Sequence, residues 1–399
     1  MNRVERHIII NNKELDRICF LSKNLYNYAN YQIRQSFIQN KVIPKEYDLT
    51  IELGKENQVD YRALPIQTSQ QVIKLLYKNW KSFFKAIKEY GKHPDKFLGR
   101  PKLPKYKEKC GKNIVIFTNQ QINIKDDIIK FPKDCLGDFT IKTKVTNENL
   151  VQVRIVPQAN CYVVEVVYKK EKQKCDINSE NILSIDLGIN NLATCVNNVG
   201  QRPFIINGRV LKSINQYSNK LRAKYMSYIG DKGTSNNLKR IILKRNNKVS
   251  NYMHHTSRFI IDYCKENKIG TIVIGHNDEW KQKANLGKRN NQNFINIPFN
   301  TLIQQISYKA EEYGIRVIMT NESYTSKIDH LANEEMKHQE RYLGKRVKRG
   351  LFQSSIGKLI NADVNGAIGI MKKVVKDFSI EIERILDRGL AFNPIVINL

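Results

Sequence analysis

Two aspartates lie where predicted buried elements end or begin. Asp186 lies at the end of a mostly apolar run, Ile182 to Leu187, and Gly188 comes two residues after it. A carboxylate at the mouth of a buried strand loses hydration, which a bound divalent metal ion can compensate. A turn-forming aspartate in Asp-x-Gly is the simpler interpretation. However, the residues from Asp186 to Thr194 predict a strand, a small hairpin and a second strand, which leaves room for metal at the bend.

The second aspartate, Asp363, begins a predicted helix, where the helix dipole favours an acid. Capping of the helix is its simpler role. Ala362, Gly366 and Ala367 are small, so this helix can lie close to another element. Phosphodiester cleavage by two metal ions needs about three carboxylates around ions roughly 3.5–4 Å apart. Asp186 and Asp363 are the first two candidates.

The elements that must position these acids form an α/β pattern in the C-terminal part of the chain. Three strands follow in quick succession after Asn181, and a long helical stretch covers about 209–267, broken near Gly230. Strands then alternate with helices up to a last helix near Asp363. This order predicts an RNase H-like α/β domain over residues 179–399.

The N-terminal part predicts a different architecture. Helices are expected from about Glu14 to Gln39 and from about Gln67 to Lys88, with Trp80 in their core. Short β-like runs follow between Asn113 and Lys170, and they suggest a small barrel. Its predicted parts are residues 1–10 and 105–175, and residues 11–104 are a helical insertion. The chain is therefore expected to be a multidomain α+β protein, with a polar linker at Lys169 to Asn181.

The charge of the chain indicates a polyanionic partner. Lysine and arginine number 67 against 38 aspartates and glutamates, which gives a net charge of +29. Such a charge repels itself unless a polyanion neutralises it, and the basic residues recur along the whole length. The absence of a long apolar run and of a basic amphipathic anchor argues against a membrane partner.

Two basic segments are candidate contacts to a nucleic-acid backbone. Residues 97–107 form a basic connector stiffened by proline, which contains Arg100, Lys102 and Lys105. Residues four positions apart share one face of the predicted long helix, where a phosphate-binding stripe and a solvated face are equally compatible with the pattern. These residues are Arg240, Lys244 and Lys248.

The cysteines and the first residues indicate a cytoplasmic protein. The seven cysteines form no CxxC pair, and their number is odd. Reduced thiols in the cytoplasm account for them most simply. The first residues do not have the pattern of a signal peptide.

Several strings in one order resemble the IS200/IS605-family OrfB proteins, also called TnpB, which are similar to miniature Cas12 nucleases. Each string is weak alone, but together they span nearly the whole chain. They are Leu64–Gln70 leading into Trp80–Phe84, then Gly99–Pro101, Phe117–Asn119, Ser184–Thr194, Tyr308–Ala310, Tyr324–Lys327 and Asp363-x-Asn365 with Ile370.

The resemblance implies an RNA-guided DNA endonuclease in a prokaryotic cytoplasm, associated with the nucleoid. It implies a guide RNA from the transposon end, double-stranded target DNA, Mg2+ (or Mn2+), a wedge barrel, a helical recognition insertion and a RuvC-like nuclease domain. Two alternatives remain open from the sequence. One is a nuclease-inactive, RNA-guided DNA-binding repressor, and the other is a protein-only transposase.

The chain departs from the family at the third acid. The family usually has a glutamate at the end of the fourth strand of this domain, and this chain has Gly275 there. Glu322 ends the next strand, which in an RNase H-like sheet lies about 4.8 Å further from Asp186. A glutamate side chain spans much of that gap, and some relatives use such a relocated glutamate. Glu322 is therefore the preferred third ligand, and Asp278 and Glu279 are the alternatives.

A second departure is the loss of the CxxC…CxxC zinc ribbon that the family usually carries. No cysteine follows Cys264, and residues 328–360 form a polar and basic insertion instead. His330 and His338 alone cannot supply the four ligands of a structural zinc ion. No structural zinc is therefore expected.

The resemblance also assigns residues that read a short motif beside the target. Gln70, Thr118 and Asn119 match positions that the family uses for this purpose. Amides and hydroxyls suit the task because they hydrogen-bond base edges, and Gln or Asn can contact adenine with two bonds. The simpler interpretation is a glutamine at a helix start and a turn-forming Thr-Asn pair.

Overall fold

The chain is a mixed α+β protein with more than one domain, as the sequence predicts. It divides into two compact units, Met1–Lys170 and Glu171–Leu399. Within the described part of the chain, no helix is long and apolar enough to cross a membrane. The computed structural model describes residues 1–230, 233–276, 297–348, 350–375, 389 and 391–399.

The first unit contains five helices and seven strands among its elements. The helices are α1 (Lys13–Asn40), α2 (Glu46–Lys55), α3 (Val59–Arg62), α4 (Ile66–Lys92) and α5 (Lys133–Leu136). The strands are β1 (Asn2–Ile10), β2 (Val115–Thr118), β3 (Asn123–Lys125), β4 (Ile128–Lys130), β5 (Thr140–Lys142), β6 (Leu150–Gln158) and β7 (Cys161–Lys169).

The strands of this unit form two antiparallel sheets. One sheet has the order β1-β7-β6-β2, and the other has the order β3-β4-β5. Strands β6 and β7 are the hairpin that the turn between them predicts. Closure of these sheets into a wedge barrel stays a prediction.

The helices of the first unit pack around buried aromatic side chains. Trp80 of α4 is fully buried and contacts the rings of Phe37 and Phe84. Its indole N–H donates to the side-chain oxygen of Asn30 on α1 at 3.0 Å, so burial leaves no polar atom of this side chain without a partner. The expectation that Trp80 anchors a core is confirmed.

The second unit contains a large sheet, a small sheet and four described helices. The helices are α6 (Arg209–Ile229), α7 (Asn236–Glu266), α8 (Phe299–Glu312) and α9 (Ala362–Lys372). The strands are β8 (Asn178–Leu187), β9 (Asn191–Asn197), β10 (Phe204–Asn207), β11 (Ile269–Gly275), β12 (Arg316–Thr320), β13 (Lys345–Lys348), β14 (Leu351–Gln353), β15 (Leu359–Asn361) and β16 (Ile395–Ile397).

The large sheet has the strand order β12-β11-β8-β9-β10-β16. Strands β8, β9 and β10 form an antiparallel meander, whereas β11 runs parallel to β8 and β12 runs parallel to β11. Helices α7 and α8 share a core with one face of this sheet, and α9 shares a core with the other. The ends of β8, β11 and β12 therefore lie side by side next to the start of α9.

Three features of the second unit differ from the sequence predictions. The predicted linker at Lys169 to Asn181 is shorter, because β7 continues through Lys169 and β8 begins at Asn178. Polar strand ends are possible there because main-chain hydrogen bonds, such as Asn178 N–H to the Lys268 carbonyl, need no apolar side chain. Strand β16 and the small sheet β13-β14-β15 were not predicted, because three- and four-residue strands carry almost no periodic signal.

Candidate active site

The alternation of side chains along β8 determines where Asp186 points. Leu183, Ile185 and Leu187 lie in the core shared with α7 and α8. Ser184 lies on the opposite face, where its hydroxyl donates to the carbonyl of Ala367 in α9 at 2.8 Å. Because side chains two positions apart share a face, Asp186 also faces α9.

Helix α9 presents Asp363 beside the same strand. The side chain of Asn361 caps the helix by accepting from the backbone amides of Asp363 and Val364, at 3.0 and 3.3 Å. The capping role considered for Asp363 is therefore wrong, and its carboxylate is left for other contacts. The side-chain amide of Asn191, which begins β9, donates to that carboxylate.

A glycine allows the close approach of α9 to Asp186. A Cβ atom added at Gly366 would lie 2.8 Å from Oδ2 of Asp186. This distance is shorter than carbon–oxygen contacts normally allow, so a side chain at this position would displace the carboxylate. The sequence predicts that small residues bring this helix close to another element, and Gly366 does so at Asp186 of β8.

Glu322 follows β12 and occupies the space above Gly275. The register pairs Gly275 at the end of β11 with Thr320 of β12, and Ile274 with Ile185 of β8. A Cβ added at Gly275 would lie 2.7 Å from Cγ of Glu322 and 2.9 Å from its Oε1. Glu322 is half-buried and directly precedes a turn at residues 323–327. A side chain at position 275 would therefore overlap the space that the Glu322 side chain fills.

Lys373, just after α9, fixes the backbone on both sides of Glu322. Its ammonium donates to the carbonyls of Asn321 at 2.6 Å and Ser323 at 2.9 Å. The segment that carries Glu322 is thereby tied to the helix that carries Asp363. We call Asp186, Glu322 and Asp363 the acidic triad.

The electrostatics of the acidic triad favour a bound cation. Burial raises the pKa of Asp186 well above its usual range, and the negative charges of Glu322 and Asp363 raise it further, opposed by Arg346. Burial raises the pKa of Glu322 to about 7, opposed by Lys373. A buried carboxyl group whose ionisation two neighbouring acids oppose forms a site that a divalent cation would stabilise.

The donor set matches Mg2+ or Mn2+ in chemistry, because hard divalent cations prefer carboxylate oxygens. In the part of the chain that the structure describes, no three His, Cys, Asp or Glu side chains are arranged to hold one metal ion as they stand. The close contacts at Gly275 and Gly366 nevertheless show that two of the three carboxylates lie against backbone without any intervening side chain. The residues fit a cation by type and charge, and side-chain rotation has to complete the ligand set.

Asn191 and Arg346 contact Asp363, and the sequence analysis named neither of them as a site residue. Arg346 of β13 lies 3.7 Å from Oδ1 of Asp363. The only signal for it was the basic character of residues 328–360, which does not say which side chain turns towards an acid. The alternative third acids, Asp278 and Glu279, lie outside the described residues.

The polar and basic segment 328–360 contains a buried aspartate that organises its neighbours. Asp329 is fully buried, and its carboxylate accepts five hydrogen bonds at 2.7 to 3.3 Å. The donors are the side chain of Ser354, both the amide and hydroxyl of Ser355, and the amides of Leu331 and Ala332. We call these five residues the Asp329 cluster.

Hydrogen bonds within the Asp329 cluster stabilise the ionised carboxylate of Asp329. Burial opposes ionisation, but the hydrogen bonds, led by the Ser355 amide, outweigh it and hold the pKa of Asp329 below its usual value. The neighbouring His330 is also buried, and burial lowers its pKa to about 4. His338 lies elsewhere, with its ring 6.2 Å from the ring of Tyr324.

The candidate motif-reading residues lie in the first unit, where α4 begins beside the end of β2. Gln70 on α4 and Asn119 after β2 are exposed. The hydroxyl of Thr118 donates to Gln67, and Thr118 also forms a capping box with Gln121. Two of the three predicted side chains are therefore open to a ligand, and the third is engaged within the fold.

The candidate backbone contacts are all exposed. Arg240, Lys244 and Lys248 share the exposed face of α7, whereas their neighbour Arg245 turns inward and donates to Asn215 of α6 at 2.8 Å. The connector residues of the first unit are likewise exposed, namely Arg100, Lys102 and Lys105.

Two family models match the chain. The OrfB IS605 model, described as "Probable transposase", matches residues 165–281, which include Asp186 and the strands from β8 to β11. The model described as "Cas12f1-like, TNB domain" matches residues 299–370, which include Glu322, Arg346 and Asp363. Between them, the two models cover all three acids.

Two curated proteins are similar to the chain. A TnpB-like protein of Acidianus two-tailed virus, ORF457, is 25% identical over 409 residues, which cover 91% of this chain and 84% of that protein. The CRISPR-associated endodeoxyribonuclease Cas12f1 of Sulfoacidibacillus thermotolerans is 27% identical over 226 residues, covering 53% of this chain and 50% of that protein.

The fold is similar to that of a solved Cas12f1. The cryo-EM structure of a Cas12f1-sgRNA-target DNA complex matches with a TM-score of 0.54 and 17% identity, over 89% of this chain and 82% of the other. Two family models, a full-length relative and this shared fold agree with one another, and the chain is a TnpB/Cas12-like protein.

Proposed function

We propose that the chain is a transposon-associated, RNA-guided DNA endonuclease that cleaves target DNA beside a short adjacent motif by two-metal RuvC chemistry. The observation that carries the proposal is the acidic triad, in which Asp186, Glu322 and Asp363 come from three separate elements of one unit and the other two acids raise the pKa of Asp186. Such perturbed carboxyl groups are typical of sites that bind metal and perform catalysis.

The topology of the second unit supports a RuvC-like domain. An antiparallel meander followed by two parallel strands on the other side of β8 is the order of an RNase H-like sheet. The two β-sheets of the first unit are the candidate wedge, and α1 to α4 are the candidate recognition helices. The endodeoxyribonuclease name of the Cas12f1 relative agrees with this assignment.

The residues of the chain perform distinct tasks in this proposal. Asp186, Glu322 and Asp363 are the residues that would hold Mg2+ or Mn2+. When bound, such ions activate a water molecule and stabilise the charge of the attacked phosphate. Asn191 orients Asp363, and Arg346 supplies a positive charge where a phosphate oxygen would approach Asp363.

The partners proposed are a guide RNA from the transposon end and double-stranded target DNA. The solved Cas12f1 complex, by its name, contains both an sgRNA and a target DNA. The exposed stripe on α7 and the basic connector provide the positive charge that a polyanion needs. Base pairing would then read the target sequence while the protein holds the A-form backbone.

Cleavage tests the proposal directly. The purified complex, Mg2+ and a plasmid with a guide-matched site are expected to give guide-dependent cuts that stop with EDTA. Glu322→Ala is expected to abolish cutting while guide-dependent binding persists. Glu340→Ala removes an exposed glutamate of the same unit and is the matched control. Undiminished cleavage by Glu322→Ala would move the assignment to Asp278 or Glu279.

Purification of the protein from cells, followed by sequencing of bound RNA, tests the guide. We expect one discrete RNA that ends at the transposon boundary. Absence of a discrete RNA would contradict the guide and favour a protein-only transposase.

A depletion assay tests the motif-reading residues. The double variant Gln70→Ala/Asn119→Ala is expected to change the preferred motif, because both side chains are exposed amides. Thr118→Val is expected to act through the fold instead, since its hydroxyl contacts Gln67. An unchanged preference in the double variant would remove these contacts from the account.

A nuclease-inactive, RNA-guided binder is the second candidate function. It is favoured by the finding that no three potential ligands are arranged as a ready metal site in the described part of the chain. Stable guide-dependent binding without cuts, at any Mg2+ or Mn2+ concentration, would select this function. Strand transfer without a guide would instead select the transposase.

A further inference from the structure

A groove in the first unit lies between the paired helices α1 and α4 and the basic connector. It has a volume of about 570 Å3 and is lined by side chains of both helices and of residues 101–107. Tyr26 and Phe83 contribute aromatic surface from the helices, while Lys105 and Tyr106 line the opposite wall. The groove is distant in sequence from the acidic triad, and it adds aromatic side chains to the basic connector.

The connector is held rigidly although it has no helix or strand between residues 97 and 114. Asn27 of α1 makes two hydrogen bonds to the main chain of Lys107, accepting from its N–H at 2.8 Å and donating to its carbonyl at 3.0 Å. Asn30, about one turn later, donates to the carbonyl of Pro104 at 3.0 Å. These bonds use the connector's backbone, so its side chains are left to line the groove.

The floor of the groove has a polar group with unused donor capacity. Tyr26 is only 3% exposed, and its hydroxyl accepts from the side-chain amide of Asn79 at 3.2 Å. Among the residues that the structure describes, nothing accepts the Tyr26 hydroxyl hydrogen. A buried hydroxyl normally donates as well as accepts. The Tyr26 hydroxyl can therefore donate to an acceptor atom of a ligand bound in the groove.

The walls of the groove combine positive charge with aromatic faces. Lys102 and Lys105 are exposed, and the ammonium of Lys107 lies 5.1 Å from the centre of the Tyr26 ring. The guanidinium of Arg34 lies 4.8 Å from the centre of the Tyr106 ring, and 44% of Tyr106 remains exposed. Proteins that bind single-stranded nucleic acids combine cationic side chains, which contact the phosphate backbone, with aromatic rings, which stack on the bases.

A gap in apolar packing is the competing explanation of the groove. Such gaps are lined by apolar side chains and are closed to solvent. This groove instead carries three lysines on one wall and a buried hydroxyl on its floor. Three ammonium groups along one wall repel one another, and an anionic ligand relieves that repulsion.

We propose that this groove binds one unpaired nucleotide of a nucleic-acid strand, with the base against Tyr106 and a base or sugar acceptor on the Tyr26 hydroxyl. Lys102, Lys105 and Lys107 contact the phosphates on either side of that nucleotide. The inference rests on the proposed function only in taking nucleic acid as the partner. Unpaired DNA and unpaired RNA share the phosphate and base chemistry that the groove recognises.

Photocrosslinking tests the groove without guide or cleavage. The full chain in EDTA is mixed with a strand of about 12 nucleotides, a length within the site sizes of single-strand binders. The strand carries one 5-iodouracil, either as DNA or as RNA, and crosslinked peptides are mapped. We expect crosslinks on Tyr106 or Tyr26 from at least one of the two strands, and the strand that reacts identifies the source. A fully paired duplex with the same base is expected to give no crosslink there.

Two variants and one matched control make the test specific. Lys105→Ala/Tyr106→Ala is expected to lower the groove crosslink and to weaken binding of the reacting strand about 10-fold, the size expected for one stacked base with a phosphate contact. Tyr47→Ala/Lys55→Ala removes an exposed tyrosine and lysine from α2 and is expected to leave both unchanged. Tyr26→Phe keeps the ring and the fold, and we expect a roughly threefold loss from the missing hydroxyl bond.

Three results would overturn the assignment. They are no crosslink in the groove from either strand, equal crosslinking from the duplex, or an unchanged crosslink in Lys105→Ala/Tyr106→Ala. The crosslinking experiment uses neither metal nor guide. Failure of cleavage in the triad experiments would therefore leave the crosslinking result unaffected. Conversely, absence of the groove crosslink in the unsubstituted chain, together with intact guide-dependent cutting, would contradict the groove and not the nuclease.

Discussion

The second unit contains two sets of carboxyl groups that the fold treats in opposite ways. Asp329 accepts five hydrogen bonds, and its pKa lies below the usual value. Within the described part of the chain, no donor hydrogen-bonds to the carboxylate of Asp186, and its pKa lies well above the usual value. Burial opposes ionisation at both sites. Hydrogen-bond donors outweigh burial at Asp329, whereas the charges of Glu322 and Asp363 add to it at Asp186.

We propose that this difference separates a structural carboxylate from a functional one. At Asp329 the protein itself compensates the lost hydration, so the charge cross-links residues of the segment 328–360. At Asp186 the described residues supply no hydrogen bond to the carboxylate, and in the proposed metal site a bound cation would provide the compensation. Asp329 is thus expected to stabilise the fold, and Asp186 is expected to destabilise it in return for activity.

The largest expected effect separates the two sites by activity. Asp186→Asn is expected to lower guide-dependent cleavage by about 10^3-fold or more, because it removes a metal ligand of the reaction. The free energy of unfolding of the metal-free protein is expected to stay equal or to rise, since one of three repelling charges is gone. Cleavage kinetics and chemical denaturation measure both quantities. A large loss of stability in Asp186→Asn would contradict the distinction.

The converse change is expected at Asp329. Asp329→Asn loses charge-assisted bonds and places an amide N–H2 against donors, so we expect about 3 kcal/mol of lost stability in chemical denaturation. Asp176→Asn is the matched control, because Asp176 is exposed and its ion pair is with the exposed Lys268. If the two variants unfold at the same denaturant concentration, the Asp329 cluster does not hold the segment together.

An exchange between positions 275 and 322 sharpens the account of the relocated glutamate. Gly275→Glu alone is expected to abolish cleavage, because its Cβ would lie 2.7 Å from Cγ of Glu322. In Gly275→Glu/Glu322→Ala the Glu322 side chain no longer fills this space, and the flexible end of the Ile370 side chain, which an added Cβ would also contact, has to shift. A glutamate at the strand end is then expected to restore cleavage to within about 10-fold to 100-fold of the original. A double variant no more active than Glu322→Ala would show that the two positions are not interchangeable.

The smallest expected effect is a pair of opposite pH dependences in the metal-free protein. Glu322 has a raised folded pKa of about 7, so its contribution to stability is present at low pH and is lost as the pH rises towards 7. Asp329 has a lowered folded pKa, so its contribution is present above the unfolded value of about 3.9 and is lost as the pH falls from that value through the folded pKa.

Unfolding measured from about pH 3.5 to about pH 8 separates these two contributions. In the original protein, Glu322 is expected to lower the free energy of unfolding between about pH 5 and pH 8, and Glu322→Gln is expected to remove about 1 kcal/mol of this decline. Asp329→Asn is expected to remove part of the decline on the acid side. If the free energy of unfolding depended on pH in the same way in both variants, at acid and at neutral pH, the opposite pKa shifts would be contradicted.

The sequence predicted the parts of the site that depend on local pattern. The apolar run from Ile182 to Leu187 predicted that Asp186 lies at the end of a buried strand, and small residues at Gly366 and Ala367 predicted the close approach of α9. Glu322 was predicted because parallel strands that follow one another tend to be neighbours, and β11 and β12 are neighbours.

The remaining features depend on tertiary contacts that no local pattern encodes. Arg346 reaches Asp363 only because a small sheet folds back to α9, and its strands are too short to be recognised. The choice of Asn361 over Asp363 as the cap was also undetermined, since both residue types cap helices equally well. The hydroxyl of Thr118 is engaged because α4 happens to begin beside β2.

Direct measurement of metal binding tests the central claim that the acidic triad holds the catalytic cation. Mn2+ is titrated into the guide-loaded protein and followed by calorimetry and by the electron paramagnetic resonance signal of free Mn2+. We expect Glu322→Ala and Asp186→Asn to weaken Mn2+ binding at least about 10-fold, because each removes a carboxylate ligand. Glu340→Ala is expected to bind Mn2+ as the original protein does. Unchanged Mn2+ binding in both triad variants would contradict the account.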